Sequence, residues 1–170
     1  MKKGVSRPIY KIDKVEQKFN LKTLLGYTPS NKQREEFFDR VADRIVERTA
    51  DGKDINGKNF KPYSKKYADK KGVSVTSVDL ILKGDMLRSI EPAPSDDDSV
   101  IIAIDEKQTK KAYNHNVGDT LKKRTFFGLT KGKEIDKIVN DVDMLKPKED
   151  ITDLAALRAA ISKIFIEVEE

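Results

Sequence analysis

The residue types that most often carry out chemistry are scarce in this chain. Its 170 residues include no cysteine and a single histidine, His115. Without cysteine the sequence has no disulfide, thiolate nucleophile or sulfur-ligated metal site to offer. His115 lies between Asn114 and Asn116, a superficial resemblance to nuclease motifs, but those motifs need a second histidine or an acid cluster to hold a metal and activate water. The sequence therefore argues against nuclease chemistry.

The remaining candidate groups are also weak. The three consecutive acids at 96–98 could bind a hard cation, but calcium loops space their ligands at alternate positions, and adjacent acids in a turn usually point into water. Gly52 and Gly57 have the spacing of a phosphate-binding loop, yet Asn59 stands where Ser or Thr is required. No serine occupies a nucleophile elbow. We therefore expect no enzymatic activity, no metal and no other cofactor.

The composition favours one small domain that completes its burial in an oligomer. Hydrophobic residues make up 37% of the chain and charged residues another 37%, which leaves a lean core. The net charge of +5 is uneven, since residues 1–22, 53–71 and 105–133 are basic whereas residues 134–170 contain ten acids and five bases. Such a chain can pair head-to-tail with copies of itself or face nucleic acid, and an ordinary solvated surface is the third possibility.

Membrane and export signals are not evident in the sequence. The first residues are charged, and no apolar stretch follows that could serve as a signal peptide. No run approaches the roughly 20 apolar residues of a membrane span. We expect a soluble protein made in a reducing cytoplasm, without membrane contact.

Hydrophobic spacing and turn residues predict the elements that position these groups. A helix is predicted from about 31 to 50, with Ser30 as its N-cap, Gln33 completing a capping box and Gly52 at the left-handed C-terminal position. The further predicted elements are a short helix begun by Ser64 and stopped by Gly72, strands at 78–82 and 99–104, a helical turn at 107–114, a helix begun by Thr130 and ending near 143, and a last helix after Thr152.

The order of these elements predicts an α+β fold. A small antiparallel sheet, a meander, would pack against the long N-terminal helix and the C-terminal helices. Residues 1–28 lack helical spacing and are predicted to be a basic N-terminal arm, followed by an α+β domain at 29–143 and a C-terminal helix at 144–170. The loop 51–63, with two glycines and Asn56, is expected to be mobile alone and ordered against a neighbour.

Residues 51–129 contain a specific order of motifs. In sequence they are Asp51-Gly52, Phe60-Lys61-Pro62-Tyr63-Ser64, Ile81-Leu82-Lys83-Gly84-Asp85-Met86-Leu87-Arg88-Ser89-Ile90, Ala112-Tyr113-Asn114-His115-Asn116-Val117-Gly118 and Arg124-Thr125-Phe126-Phe127-Gly128-Leu129. This order resembles the virion-morphogenesis and tail-completion family of Mu-like and related tailed phages, over roughly residues 31–142. The chain departs from the family pattern in the shortened Tyr113-to-His115 spacing and in lacking a proline before Arg124.

The resemblance implies a structural virion protein of the phage neck or tail terminus, assembled in the host cytoplasm. Such a protein forms a homo-oligomeric ring, joins other neck, connector or tail proteins at the head–tail interface, and contacts DNA in its lumen without reading sequence. A basic nucleic-acid-binding module is the alternative. It is motivated by the sequence pI near 9.2 and by the aromatic residues among lysines at 60–63.

Several residues are predicted to contact neighbouring subunits. Phe126 and Phe127 would point to opposite sides of an extended segment, so one sheet face cannot bury both; burial of both in the chain's own core is the alternative. The acids at 167–170 are mildly unfavourable near the end of their own predicted helix, which favours basic residues of a neighbour opposite them. The candidate interface residues are Phe60, Pro62, Tyr63, Arg124, Phe126, Phe127, Lys2, Lys3 and Arg7.

Overall fold

The structure is a computed structural model that describes residues 1–81, 84–118 and 121–147. Within this part the predicted α+β class is confirmed, with one four-stranded antiparallel sheet and six helices. The elements are β1 (Ile9–Lys11), β2 (Lys14–Asn20), α1 (Leu21–Leu25), α2 (Asn31–Ala50), α3 (Lys65–Lys71), α4 (Asp85–Arg88), β3 (Ile90–Ala93), β4 (Ser99–Ile104), α5 (Glu106–Val117) and α6 (Gly132–Asp143). None of the helices in this part is long and apolar enough to cross a membrane.

The strand order of the sheet is β1-β2-β4-β3. The predicted meander would pair the strands in sequence order, but β2 pairs with β4 and β3 lies at the edge. Gln17 of β2 lies opposite Ile102 of β4, and Phe19 lies opposite Val100. Side chains alternate between the two faces of a strand, so these four residues share one face, and all of them are buried. The helices α2 and α5 pack on the sheet. The core therefore lies between these helices and one sheet face.

The predicted N-terminal arm is wrong, because residues 9–25 form β1, β2 and α1. Val15, Phe19 and Leu21 are at most 1% exposed, and the Phe19 ring meets a ring of α2 at 5.2 Å between centroids. Lys2 forms an ion pair with Asp136 of α6, so its partner belongs to the same chain. The segment is therefore part of the fold.

The long helix α2 has the predicted ends. The Ser30 hydroxyl accepts from the Gln33 amide at 3.2 Å, and the Gln33 side-chain oxygen accepts from the Ser30 amide at 3.0 Å, which confirms the capping box. Gly52 beyond the C-terminus has a φ of 72°, the left-handed conformation expected there. The buried residues of the helix recur at helical spacing and are Gln33, Phe37, Val41, Ile45, Arg48 and Thr49.

Helix α6 runs antiparallel to α2. Arg44 near the end of α2 pairs with Glu134 near the start of α6 at 2.6 Å, and Arg40 pairs with Asp141 at 2.9 Å. Its predicted apolar face is confirmed, and the buried residues are Ile135, Ile138, Val139 and Val142. Its predicted cap is wrong, because Lys131 occupies the N-cap position and no side chain caps the first turn.

Three other predictions meet different outcomes. Helix α3 begins after Ser64 and ends at Gly72 as predicted. Residues 78–81 form no strand, because Asp79 turns the chain by accepting from the Ile81 amide at 2.9 Å. Helix α5 extends beyond the helical turn that was predicted for this region. The predicted helix after Thr152 lies outside the described residues.

The loop 51–63 packs on its own chain, contrary to the expectation that it would order only against a neighbour. Ile55, Phe60 and Tyr63 are 6–7% exposed. The Phe60 amide donates to the Gly52 carbonyl at 2.8 Å, and the Ile55 amide donates to the carbonyl of Thr125 at 2.8 Å. Hydrophobic burial and backbone hydrogen bonds thus hold this loop against its own chain.

Candidate functional site

The segment 124–129, the last of the motifs quoted from the sequence, lies in the centre of the molecule. It has no regular secondary structure, yet Phe126, Phe127 and Leu129 are 0% exposed and Arg124 is 6% exposed. The predicted place of the two phenylalanines at a subunit junction is therefore wrong. Both belong to the core of their own chain, because the segment is not a sheet edge but is enclosed by strands and helices.

Asn116 of α5 holds the main chain of the two phenylalanines. Its side-chain oxygen accepts from the amides of Phe126 and Phe127, each at 3.0 Å, and its side-chain nitrogen donates to the Ala112 carbonyl at 2.8 Å. Asn116 is only 1% exposed. Buried backbone amides outside helices and sheets need another hydrogen-bond acceptor, and the Asn116 side chain supplies that acceptor for two of them.

Two side chains of the N-terminal hairpin hold the next residues. Gln17 donates to the Leu129 carbonyl at 2.8 Å and to the Ser6 carbonyl at 2.9 Å, and it accepts from the Leu129 amide at 2.8 Å. The Tyr10 hydroxyl donates to the Phe127 carbonyl at 2.7 Å. Burial raises the pKa of Tyr10, which keeps this hydroxyl protonated as a donor.

Arg48 of α2 completes the support from the other side. Its Nη2 donates to the carbonyls of Phe126 at 2.5 Å and Gly128 at 2.8 Å, and the residue is 2% exposed. Its Nη1 lies 3.9 Å from a carboxylate oxygen of Glu134. Burial lowers the pKa of Arg48, but a guanidinium keeps its charge in proteins. Arg48 is thus a buried cation that binds main-chain carbonyls.

Sequence reasoning did not identify Gln17, Asn116 and Arg48. A signal was present for two of them. Arg48 follows Ile45 of the apolar stripe of α2 by three residues, and Gln17 lies between Val15 and Phe19 in strand alternation. A polar residue at a core position indicates a buried group that needs a partner. The partner itself is not visible in the local sequence.

A second feature, here called the basic pocket, lies beside this segment. It is a cavity of about 430 Å³ between α3, α5 and the residues just before the segment. Its walls include three cations, the only histidine and two aromatic rings, namely Lys111, Lys122, Arg124, His115, Tyr63 and Tyr67. None of the described residues that line it is acidic. The pocket is therefore an electropositive hollow of the size of a small-ligand site.

Arg124 and Lys122 join the two sides of the basic pocket. Arg124 donates from Nε to the Lys61 carbonyl at 2.9 Å and from Nη2 to the Pro62 carbonyl at 3.0 Å. Its guanidinium lies 5.0 Å from the ring centre of Tyr63, a cation–π distance. The Lys122 ammonium also donates to the Pro62 carbonyl, at 3.0 Å. Neither cation is neutralised by these carbonyl partners.

His115 is neutral at physiological pH in this setting. Burial, together with the charges of Arg124 and Lys111, lowers its pKa to about 4. Its Nδ1 is buried and has no hydrogen-bond partner among the described residues. Across that same part of the chain, no group of three His, Asp or Glu side chains could hold a metal ion.

The acids at 96–98 are held in ion pairs. Lys18 pairs with Asp96 at 3.1 Å, Arg34 with Asp97 at 2.9 Å and Lys22 with Asp98 at 3.4 Å. Because the partners come from β2, α2 and α1, the three carboxylates are drawn to different cations and do not converge on one point.

The predicted interface residues fall into three groups. Phe60, Phe126 and Phe127 are buried in the core, and Tyr63 and Arg124, also buried, line the basic pocket. Lys2 is half-buried in its ion pair with Asp136. Three of them remain exposed on the subunit surface, namely Lys3, Arg7 and Pro62.

In comparisons with known proteins, no family model matches the chain, and no curated protein and no solved structure is significantly similar to it.

Proposed function

We propose that this chain is a structural subunit of a tailed-phage particle that assembles into a ring at the neck or tail terminus. The observation that carries the proposal is the family-like order of motifs between Asp51 and Leu129. In this fold the last of these motifs, 124–129, is the segment whose main chain is held by Tyr10, Gln17, Arg48 and Asn116. The motif thus lies at the centre of the chain's own core.

The charge distribution supports a ring around DNA. The basic stretches 53–71 and 105–133 meet at the basic pocket, where Arg124 and Lys122 bind the carbonyls of the other stretch. A closed ring needs two different, complementary surfaces on each subunit. Basic residues of these stretches outside the pocket, such as Lys107 and Lys110, are exposed and can bind DNA phosphates without sequence readout. Residues 148–170, with six acids and three bases, supply the opposite sign.

The proposal is tested by the mass and shape of the purified full-length protein. We expect mass photometry to show one oligomer whose mass is a single multiple of the 19.3 kDa subunit, and negative-stain electron microscopy to show closed rings of one diameter. When purified neck or tail components are added, every ring should still contain one fixed number of copies of the chain. A protein that stays monomeric at every concentration, alone and with those components, would refute the proposal.

A basic nucleic-acid-binding module is the second candidate, favoured by the cations of the basic pocket. A monomer of this kind would bind duplex DNA with an affinity that falls steeply as salt is raised, since each phosphate contact releases counterions. Electrophoretic or fluorescence binding assays over a salt series, performed on material of known oligomeric state, separate the two candidates. Tight DNA binding by a monomer that forms no rings would favour the second.

A further inference from the structure

The basic pocket concentrates positive charge without an anionic partner among the described residues. Lys122 and Arg124 donate only to main-chain carbonyls there, and Lys111 is exposed at the rim. We propose that this pocket receives carboxylate side chains from residues 148–170 of a neighbouring copy of the chain. This inference rests on the proposed ring, for which it names the repeating contact.

The groups in the pocket suit a carboxylate. Unpaired lysine and arginine charges gain charge-assisted hydrogen bonds from an anionic oxygen. His115 also lines the pocket, and burial lowers its pKa, so the positive charge of the pocket comes from its two lysines and its arginine.

The segment 148–170 has the complementary charge. It contains six acids and three bases, a net charge of −3. The acids are Glu149, Asp150, Asp153, Glu167, Glu169 and Glu170, and the bases are Lys148, Arg158 and Lys163. The acids are grouped near the two ends of the segment, so more than one carboxylate can enter a pocket that presents several cations.

The described end of the chain and the basic pocket lie at opposite ends of α2. The end is placed beside the start of α2 because Tyr27 bonds Asp143 at 2.6 Å and Lys146 lies 4.6 Å from the centre of the Tyr27 ring. The pocket is placed beyond the end of α2 because it is joined to the loop that follows this helix. A helix of 20 residues is about 30 Å long. The segment 148–170 therefore leaves the described chain at the end of α2 that lies away from the pocket, which is the polarity that a repeating head-to-tail contact requires.

A charge exchange in the full-length protein tests the contact. Lys111→Glu with Lys122→Glu should weaken self-association about tenfold or more, and Glu167→Lys with Glu169→Lys should do the same, since each places like charges together. The four changes combined should recover most of the wild-type affinity. Lys107→Glu with Lys110→Glu is the matched control, because these exposed lysines lie on the same helix outside the pocket and should change the affinity little.

Zero-length carbodiimide crosslinking gives a second readout that does not depend on any variant. In rings assembled from a mixture of ¹⁴N- and ¹⁵N-labelled protein, Lys111 or Lys122 should be joined to acids of 148–170 in peptides of mixed isotope. Crosslinks confined to one isotope would show an intrachain contact and overturn the inference.

If rings form normally when Lys111 and Lys122 are both replaced by glutamate, the inference is overturned and the ring proposal stays intact. The inference is also overturned if the same replacement abolishes DNA binding while self-association is unchanged, since the pocket would then serve nucleic acid. A wild-type protein that never associates would overturn both.

Discussion

Replacing Asn116 with alanine should destabilise the folded chain by more than the loss of its contacts within helix α5 alone. The alanine would leave the amides of Phe126 and Phe127 without their acceptor in a region where Asn116 is 1% exposed. An orphaned buried donor costs about 1–3 kcal/mol, so two cost about 2–6 kcal/mol. Domains of this kind are stable by only about 5–15 kcal/mol, so the loss is a large fraction of the total.

Urea denaturation followed by circular dichroism measures this loss. We expect the midpoint to fall at an unchanged m-value, which reports lost stability without a change in the surface exposed on unfolding. Asn114→Ala on the same helix is the control, because that half-buried side chain makes no hydrogen bond among the described residues and should change stability by only about 0.5 kcal/mol. If Asn116→Ala also stays within about 0.5 kcal/mol, the reasoning about orphaned amides is refuted.

Three further predictions concern stability and pH. Gly128→Ala should lower the melting temperature strongly, because Gly128 has a φ of 103° and an added Cβ would lie 2.5 Å from Pro8. An alanine at Gly132 has open space around its Cβ, so Gly132→Ala should be close to neutral. Equal melting temperatures of the two variants would contradict this. Phe126→Ala should cost about 3–5 kcal/mol in the isolated monomer, and a folded monomer of unchanged stability would restore the interface interpretation. The pKa of His115 in the folded chain is lowered to about 4, so the unfolded chain binds more protons than the folded chain between pH 6.5 and 4. The free energy of unfolding should therefore fall as the pH drops through that window, by up to about 3 kcal/mol. His115→Gln should lose this part of the pH dependence when denaturant midpoints are compared over the window, and parallel pH profiles of the wild type and the variant would argue against it.

Local signals predicted the features that depend on residues close in sequence. The capping box of Ser30 and Gln33 closes within three residues, and Ser64 with Gly72 delimits α3 in the same way. The strand 99–104 is rich in Val and Ile, whose β-branched side chains favour strands. The apolar face of α6 has clean helical spacing. Each of these features is indicated by the types and spacing of residues within one short stretch of the sequence.

Features that depend on distant partners could not be predicted in this way. Gln17 is buried because Leu129, 112 residues away in sequence, needs both its amide and its carbonyl bound, so a polar residue interrupts the apolar pattern of β2. The burial of Phe127 beside Phe126 depends on strands and helices that close around an irregular segment. Their rings meet edge to face at 6.4 Å inside the core, an arrangement that strand alternation excludes. The basic pocket, likewise, exists only once separate basic stretches are brought together.

The support of segment 124–129 by side chains of four elements has a consequence for how the subunit opens. If β1, β2, α2 or α5 separates, main-chain groups at 126–129 lose their partners at once, and the remaining elements lose the surface on which they pack. Opening of any one element is thereby coupled to opening of the others, so partial unfolding is disfavoured relative to global unfolding. In hydrogen exchange, the amides of Phe126, Phe127 and Leu129 should exchange only with the slowest class of the molecule. The elements around this segment therefore open and close as one cooperative unit.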